Sequence, residues 1–213
     1  MGIDDQGGID GREREIKFEL TDGEQAARLA DKLPSATSRK RQVNHYYDYP
    51  DRRLREAGIM LRIRVEHPDG GAGRARLTMK QGARKDGAGL FDVAESEIEL
   101  PLAEVESVLA GETTLVSLGT SILSRIADRF GDLAPLVKWG TLENLRSVHP
   151  IGDGLEIELD QATYPDGTVL HEVELESDRP EVARRRVIEI LEAARVAYSP
   201  SQFSKSERLA AMG

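Results

Sequence analysis

Charged side chains recur at every second position along several short segments, and this spacing is where chemistry could reside. Glu13, Glu15 and Lys17 alternate with Ile16 and Phe18, and Arg62 and Arg64 alternate with Leu61, Ile63 and Val65. Thr78 and Lys80 oppose Leu77 and Met79. Three further segments carry carboxylates alone on one face: Glu95, Glu97 and Glu99; Glu156, Glu158 and Asp160; Glu172, Glu174 and Glu176. Period-2 alternation places all the charges of a strand on one face and its apolar residues on the other. The default reading is a half-solvated sheet whose charges face water. Two features weigh against it. Like charges at successive same-face positions repel unless something compensates, and the two signs are segregated by segment. If the charged faces point inward, such a density is stable only when paired, metal-bound or neutralised by a ligand. Phosphate chemistry matches both signs. Arginine forks and lysine point charges hold phosphate oxygens, and clustered carboxylates hold Mg²⁺ or Mn²⁺ beside them.

The segments that must position these residues read as eight strands, at 12–20, 45–49, 60–65, 74–81, 92–100, 142–148, 155–160 and 171–176. Eight strands suffice to close a small barrel. Gly-, Pro- and Asp-rich stretches at 67–73, 82–89 and 164–167 supply hairpin turns. Asp22 caps a helix running to Leu33, where Pro34 stops it, and 102–109 and 121–130 read as helical, the second ending at Gly131. Pro180 opens a helix to about Val196. Ser199 caps a short last helix with Pro200 at its start, carrying Phe203 and Lys205.

The Gly- and Asp-rich residues 1–11 read as a disordered leader, and 12–213 as one domain without a repeat or a linker. A net charge of −9 argues against a nucleic-acid partner held by general electrostatics. The absence of cysteine excludes disulfides and thiolate metal sites, leaving oxygen or imidazole ligands. No apolar run reaches the length of a bilayer span and no signal-peptide pattern is present, so the expected location is the cytoplasm, away from membranes.

The motif Glu13-Arg-Glu15-Ile-Lys17 on a first strand resembles the signature of the CYTH superfamily, the triphosphate tunnel metalloenzymes. The resemblance extends in order through His45-Tyr-Tyr-Asp48, Leu61-Arg62-Ile-Arg64, Leu77-Thr-Met-Lys80, Glu97-Ile-Glu99 and Glu143-Asn-Leu-Arg146. It continues through Leu159-Asp160, Glu172-Val-Glu174 and the late Lys205. The runs SRIADRFGDL, ENLRSV, LEIELDQATYPDG and FSKSERL look most similar to the plant-type inorganic triphosphatases. The resemblance implies an α+β fold, an eight-stranded antiparallel closed β-barrel forming a tunnel, with helices packed outside. It implies hydrolysis of tripolyphosphate to diphosphate and phosphate with Mg²⁺ or Mn²⁺, as one or two ions.

Carried over by residue, Lys17, Arg62, Arg64, Lys80 and Arg146 would hold phosphates. Glu13, Glu15, Glu172 and Glu174 would ligate metal with Asp160, and Glu97 and Glu99 would lie on the same wall. Lys205 would reach in from the last helix to orient the attacking water, so that Glu13, Glu15, Lys80 and Lys205 form the catalytic set. Rival functions are hydrolysis of thiamine triphosphate or another organic triphosphate, cyclisation of ATP as in class IV adenylyl cyclases, and non-catalytic polyphosphate binding. The partner is a small triphosphate, and monomer and dimer both remain open.

No GxxxxGK[ST] loop is present. His45, His67, His149 and His171 are dispersed and read as surface or strand-edge residues. Trp139 reads as packing rather than as a stacking platform. Asp48 either supports a tunnel arginine or does not. Arg184, Arg185 and Arg186 read as a solvated helix face paired with Glu181 and Glu189. The serines lack a His–Asp pattern, which argues against a hydrolase triad.

Overall fold

The computed structural model describes residues 9–212. In chain order the elements are β1 (Ile9–Leu20), α1 (Gly23–Ala30), β2 (Ser38–Asp48), α2 (Arg53–Glu56), β3 (Ile59–Pro68), β4 (Arg74–Lys85), β5 (Leu90–Leu100), α3 (Leu102–Ala110) and α4 (Ser121–Phe130), with a 3₁₀ turn at Leu115–Leu118 before α4. There follow β6 (Val137–Gly152), β7 (Leu155–Thr163), β8 (Val169–Glu176), α5 (Pro180–Ala194), β9 (Tyr198–Pro200) and α6 (Lys205–Ala211). All strand pairs are antiparallel. The strand order is β5-β4-β3-β2-β6-β7-β8-β1, and β1 pairs again with β5, so eight strands close into a barrel. β9 adds a short pairing on β1.

The apolar halves of the strands face outward, and the helices cover them. On one flank Leu61, Ile63, Leu77 and Met79 pack beneath Val105 of α3 and Ile122, Leu123 and Ile126 of α4. On the other, Ile16, Phe18, Val173 and Leu175 pack beneath Ala183, Val187 and Leu191 of α5. Each large aliphatic side chain so buried contributes roughly 1.5–3 kcal/mol. The hydrophobic core is therefore two slabs outside the barrel wall, and the interior is left to the charges. A third cluster closes part of one end from within, where Tyr46, Leu142 and Tyr164 meet Leu209 of α6. Gly140 makes this seat possible: a Cβ there would stand 2.9 Å from Leu209 Cδ2.

All eight expected strands are present, and α4 spans Ser121–Phe130 with Gly131 after it, as the sequence predicts. The helix capped by Asp22 ends at Ala30 rather than Leu33, and the helix opened by Pro180 ends at Ala194 rather than Val196. β1 starts at Ile9, inside the stretch expected to be a leader, and residues 1–8 lie outside the described residues. The last helix differs most. Ser199 and Pro200 do not start it; they pair with Glu19 and Phe18 of β1 as strand β9. Ser204 is the cap, in a capping box with Glu207, so Phe203 falls outside the helix and Lys205 is its first residue.

Gly89 clamps the β4–β5 hairpin to the strand that carries Lys17. Its φ is +94°, its carbonyl accepts the Lys17 backbone N–H at 2.8 Å, and a Cβ would stand 2.7 Å from the Lys17 carbonyl oxygen. Gly89→Ala is expected to lose roughly 1–3 kcal/mol from the backbone conformation alone, read as a lowered urea midpoint. Wild-type stability in that variant would contradict the clamp.

Candidate active site in the barrel interior

Inward-facing positions on neighbouring strands fall in register, and the register assembles the site. Arg146, Asp160 and Glu172 stand side by side across β6, β7 and β8. Glu158, Glu174 and Lys17 form the next row across β7, β8 and β1. On the opposite side Asn44, Arg64 and Arg76 share one row, and Tyr46, Arg62, Thr78 and Glu97 another. All of these except Asp160, Glu172 and Thr78 line a cavity of about 1380 Å³.

The carboxylate side is crowded. Single oxygens of Glu15, Glu158 and Glu174 all lie within 4.8 Å of one another. Glu174, fully enclosed, accepts from Lys17 at 2.9 Å, Lys205 at 2.5 Å and Arg146 at 2.5 Å. Burial alone would raise its pKa, but Lys17, Lys205 and Arg146 outweigh burial and hold it well below the usual carboxylate range. Glu15 goes the other way: burial, reinforced by Glu174, pushes it well above that range despite Lys17 at 2.7 Å. Burial likewise raises Glu158, in spite of its ion pair with Arg146. More carboxylates converge here than the local cations let ionise together. A divalent cation relieves that imbalance, and an all-oxygen donor set suits Mg²⁺ or Mn²⁺. Glu15, Glu158 and Glu174 therefore fit the metal expected from the sequence.

Asp160 and Glu172, also expected on the metal wall, meet cations as Glu174 does and lie outside the tightest carboxylate group. Asp160 takes both forks of Arg146, at 2.7 and 2.6 Å, and stands 2.9 Å from Lys205. Glu172 meets Lys205 at 2.5 Å and accepts from Ser201 Oγ at 3.0 Å. Burial would lower the Lys205 pKa, but Asp160, Glu172 and Glu174 hold it well above the ordinary lysine value. Arg146, expected among the phosphate holders, thus belongs to the carboxylate side. Glu13 pairs with Lys80, which also meets Glu95 at 2.8 Å. Glu97 lies across from that wall, 3.2 Å from Arg76 and accepting from Thr78 at 3.1 Å, whereas Glu99 is exposed.

The cation side is short of counter-charge. Arg62 is 7% exposed; its nearest side-chain partner is the neutral Thr78 hydroxyl at 3.4 Å, and its buried Nε has no hydrogen-bond partner. Arg64 donates to Asn44 Oδ1 at 2.8 Å and stands 3.8 Å from Glu66. Burial, then the neighbouring Arg62 and Arg146 charges, pushes Arg64 down to about 10. Glu66 is itself fixed by a buried relay in which Asn144 donates to Gln42 at 2.9 Å and Gln42 donates to Glu66 at 2.6 Å. An anion placed against Arg62 and Arg64 meets donors that the protein leaves largely unspent.

Sequence reasoning did not place Glu158 among the candidate metal ligands, and it missed Arg76 as a lining cation and the Asn144–Gln42–Glu66 relay. Glu158 sits two residues before Asp160 on the same strand face, a signal present in the alternation. Asp48 does not support a tunnel arginine; it accepts from the backbone N–H groups of Tyr49, Leu54 and Arg55 at 2.7, 3.0 and 3.1 Å. Trp139 packs as expected, stacked on Tyr46 with centroids 5.5 Å apart. His149 is buried rather than at an edge, satisfied by Ser147 and the Pro34 carbonyl. Arg184 pairs chiefly with Asp86 across to the β4–β5 hairpin.

A closed barrel with an anion-ready wall facing a carboxylate cluster defines a polyanion tunnel. The chain belongs to the CYTH domain family, whose model matches residues 11–209, and thereby to the triphosphate tunnel superfamily. Among solved structures it is similar to HpAC1 of Hippeastrum, described as having a dominant triphosphatase activity: TM-score 0.86, 26% identity, covering 94% of this chain and 96% of that one. A Bacillus halodurans protein described as a candidate adenylate cyclase matches with TM-score 0.68 and 24% identity over 93% of this chain and 98% of that one. PH1819 of Pyrococcus horikoshii matches with TM-score 0.63 and 17% identity over 93% and 99%. These two likenesses show the fold alone. No curated protein matches the sequence. Among the described residues no helix is long and apolar enough to cross a membrane.

If Glu15, Glu158 and Glu174 hold the metal, Mn²⁺ stabilises the wild-type fold by about 2.7 kcal/mol at a hundredfold excess over Kd. Glu158→Gln should lose most of that stabilisation in a thermal melt. An unchanged Mn²⁺ shift in that variant would remove Glu158 from the ligand set.

Proposed function

We propose that the protein is a metal-dependent inorganic triphosphatase that cleaves tripolyphosphate to diphosphate and phosphate inside the barrel. The observation that carries this reading is the pair Arg62 and Arg64, the first beside only the neutral Thr78 hydroxyl and the second bonded to Asn44 with Glu66 no nearer than 3.8 Å, facing a carboxylate cluster fit for a divalent cation. Neither wall is electrostatically complete alone, and a triphosphate with its metal completes both. The described activity of HpAC1 supports the same reaction class.

Arg62 and Arg64 would bind oxygens of the phosphate chain through charge-assisted forks. Lys205 holds its proton, so it acts as a charge and a hydrogen-bond donor rather than as a base, and its three carboxylates fix where it points. Lys17, held between Glu15 and Glu174, adds a second fixed charge beside the cluster. Bound by Glu15, Glu158 and Glu174, Mg²⁺ or Mn²⁺ would supply Lewis-acid polarisation of phosphate oxygens and of water. Water adds to the terminal phosphorus, the bridging P–O bond breaks, and diphosphate leaves with its charge stabilised by the arginines. The protein's part is positioning and electrostatic stabilisation.

Phosphate release from tripolyphosphate, ATP and thiamine triphosphate, compared with Mg²⁺, Mn²⁺ and EDTA, tests this. Tripolyphosphate should be the preferred substrate and EDTA should abolish turnover. Arg62→Ala and Lys205→Ala should each lower kcat/KM by about 10²–10³. Cyclic AMP from ATP would move the protein to the cyclase reading, and no turnover of any triphosphate with metal would leave only binding.

A further inference from the structure

Inside the barrel a carboxylate and a guanidinium that could pair with each other are kept apart, and buried amides make the separation. Arg64 and Glu66 stand two residues apart on the inward face of β3, a backbone spacing of roughly 7 Å that two such long side chains can bridge. Their nearest approach is 3.8 Å, between Arg64 Nη1 and Glu66 Oε1, too long for a hydrogen bond. Burial would raise the Glu66 pKa, but Lys40, Arg64 and the Gln42 hydrogen bond outweigh it and hold Glu66 below the usual carboxylate range. Glu66 is therefore charged, and a bond from Arg64 would be stronger than one from a neutral amide. The amide nevertheless takes it.

Gln42 lies directly opposite Glu66 on β2 and donates from Nε2 to Glu66 Oε1 at 2.6 Å. That is the same oxygen that faces Arg64 and, at 3.5 Å, Lys40. Asn144 lies opposite Gln42 on β6 and donates to Gln42 Oε1 at 2.9 Å, which turns the Gln42 N–H toward Glu66. One row along, Asn44 lies opposite Arg64 and accepts from its Nε at 2.8 Å, while donating to the Leu142 carbonyl at 3.4 Å. Two amides of β2 thus hold the carboxylate and the guanidinium in separate rows.

Stability alone does not account for the relay. Gln42 and Asn144 are fully buried, and Asn144 Oδ1 is left without a hydrogen-bond partner. A direct Arg64–Glu66 pair with apolar residues behind it would avoid that cost. Neither Gln42 nor Asn144 lines the cavity, whereas Lys40, Arg64 and Glu66 all do. The relay acts on the cavity wall from behind.

We propose that Gln42, oriented by Asn144, is a positioning residue of the anion site: it restrains Glu66 from pairing with Arg64 and so keeps the Arg64 guanidinium available to a phosphate oxygen. The inference rests on the reading of Arg62 and Arg64 as phosphate holders.

Equilibrium titration of tripolyphosphate into the full chain in EDTA, where turnover does not intervene, tests it. Gln42→Met keeps the volume and removes the restraint, so Glu66 closes on Arg64 and the dissociation constant should rise about tenfold, equal to about 1.4 kcal/mol. Glu66→Gln added to that variant removes the competing charge and should return binding to within about threefold of wild type, and Glu66→Gln alone should also stay within about threefold. Gln42→Asn, one methylene too short to span from Asn144 to Glu66, should show the same pattern and serves if Gln42→Met melts far below wild type. Wild-type affinity in the single Gln42 variant, a loss that Glu66→Gln does not repair, or two effects that merely add would overturn the restraint. A wild-type protein that binds no tripolyphosphate would overturn the phosphate reading itself, and the restraint with it.

Discussion

The barrel is built around charges that face inward, and the rest of the structure follows from the need to neutralise them. Six carboxylates and cations of the two central rows, Arg146, Asp160, Glu172, Glu158, Glu174 and Lys17, would repel or lose hydration if any were left alone. The register sets Arg146 beside Asp160 and Lys17 beside Glu174, and where it sets acids side by side, at Asp160–Glu172 and Glu158–Glu174, Arg146 and Lys205 each bridge several of them. What it leaves unbalanced is as informative. Glu15, Glu158 and Glu174 have too little positive charge among them, and Arg62 and Arg64 have too little negative charge.

Pointing the charges inward forces the apolar faces outward, which is why the helices exist where they do. α3 and α4 cover one flank and α5 the other, while the outer faces of β2 and β6 stay open at Arg41, Glu143 and Leu145. The β9–α6 segment then ties the chemistry to the scaffold. β9 pairs with β1, Leu209 seats in the apolar end of the barrel, and Lys205 at the first turn of α6 reaches the acids of β7 and β8. A single residue, Ser204, starts that helix where Lys205 can face inward.

Much of this was legible in the sequence, for definable reasons. Strict alternation in segments such as that carrying Glu172 and Glu174 marks a strand whatever lies around it. Asp22, Gly131 and Pro180 likewise bound helices by local backbone chemistry. Alternation cannot say which face turns inward, and only the ordered motif set gave that. The roles of individual charges were less legible, because they depend on cross-strand neighbours. Glu158 joins the carboxylate cluster by lying opposite Glu174, and Arg146 becomes a counter-ion by lying opposite Asp160. Glu97 leaves the metal wall because Thr78 and Arg76 are its neighbours. Asp48 was ambiguous because its partners are backbone groups of a one-turn helix with no sequence period of its own. Ser199-Pro200 imitated a helix start, but pairing with β1 outweighed that local preference.

The central claim is that the two unbalanced walls are completed by one metal–triphosphate complex. The direct measurement is a crystal structure with Mn²⁺ and tripolyphosphate, located by the anomalous signal of manganese. The account predicts a manganese peak among Glu15, Glu158 and Glu174, with the phosphate chain against Arg62 and Arg64. Manganese bound elsewhere, or a phosphate chain that leaves Arg62 and Arg64 untouched, would contradict it.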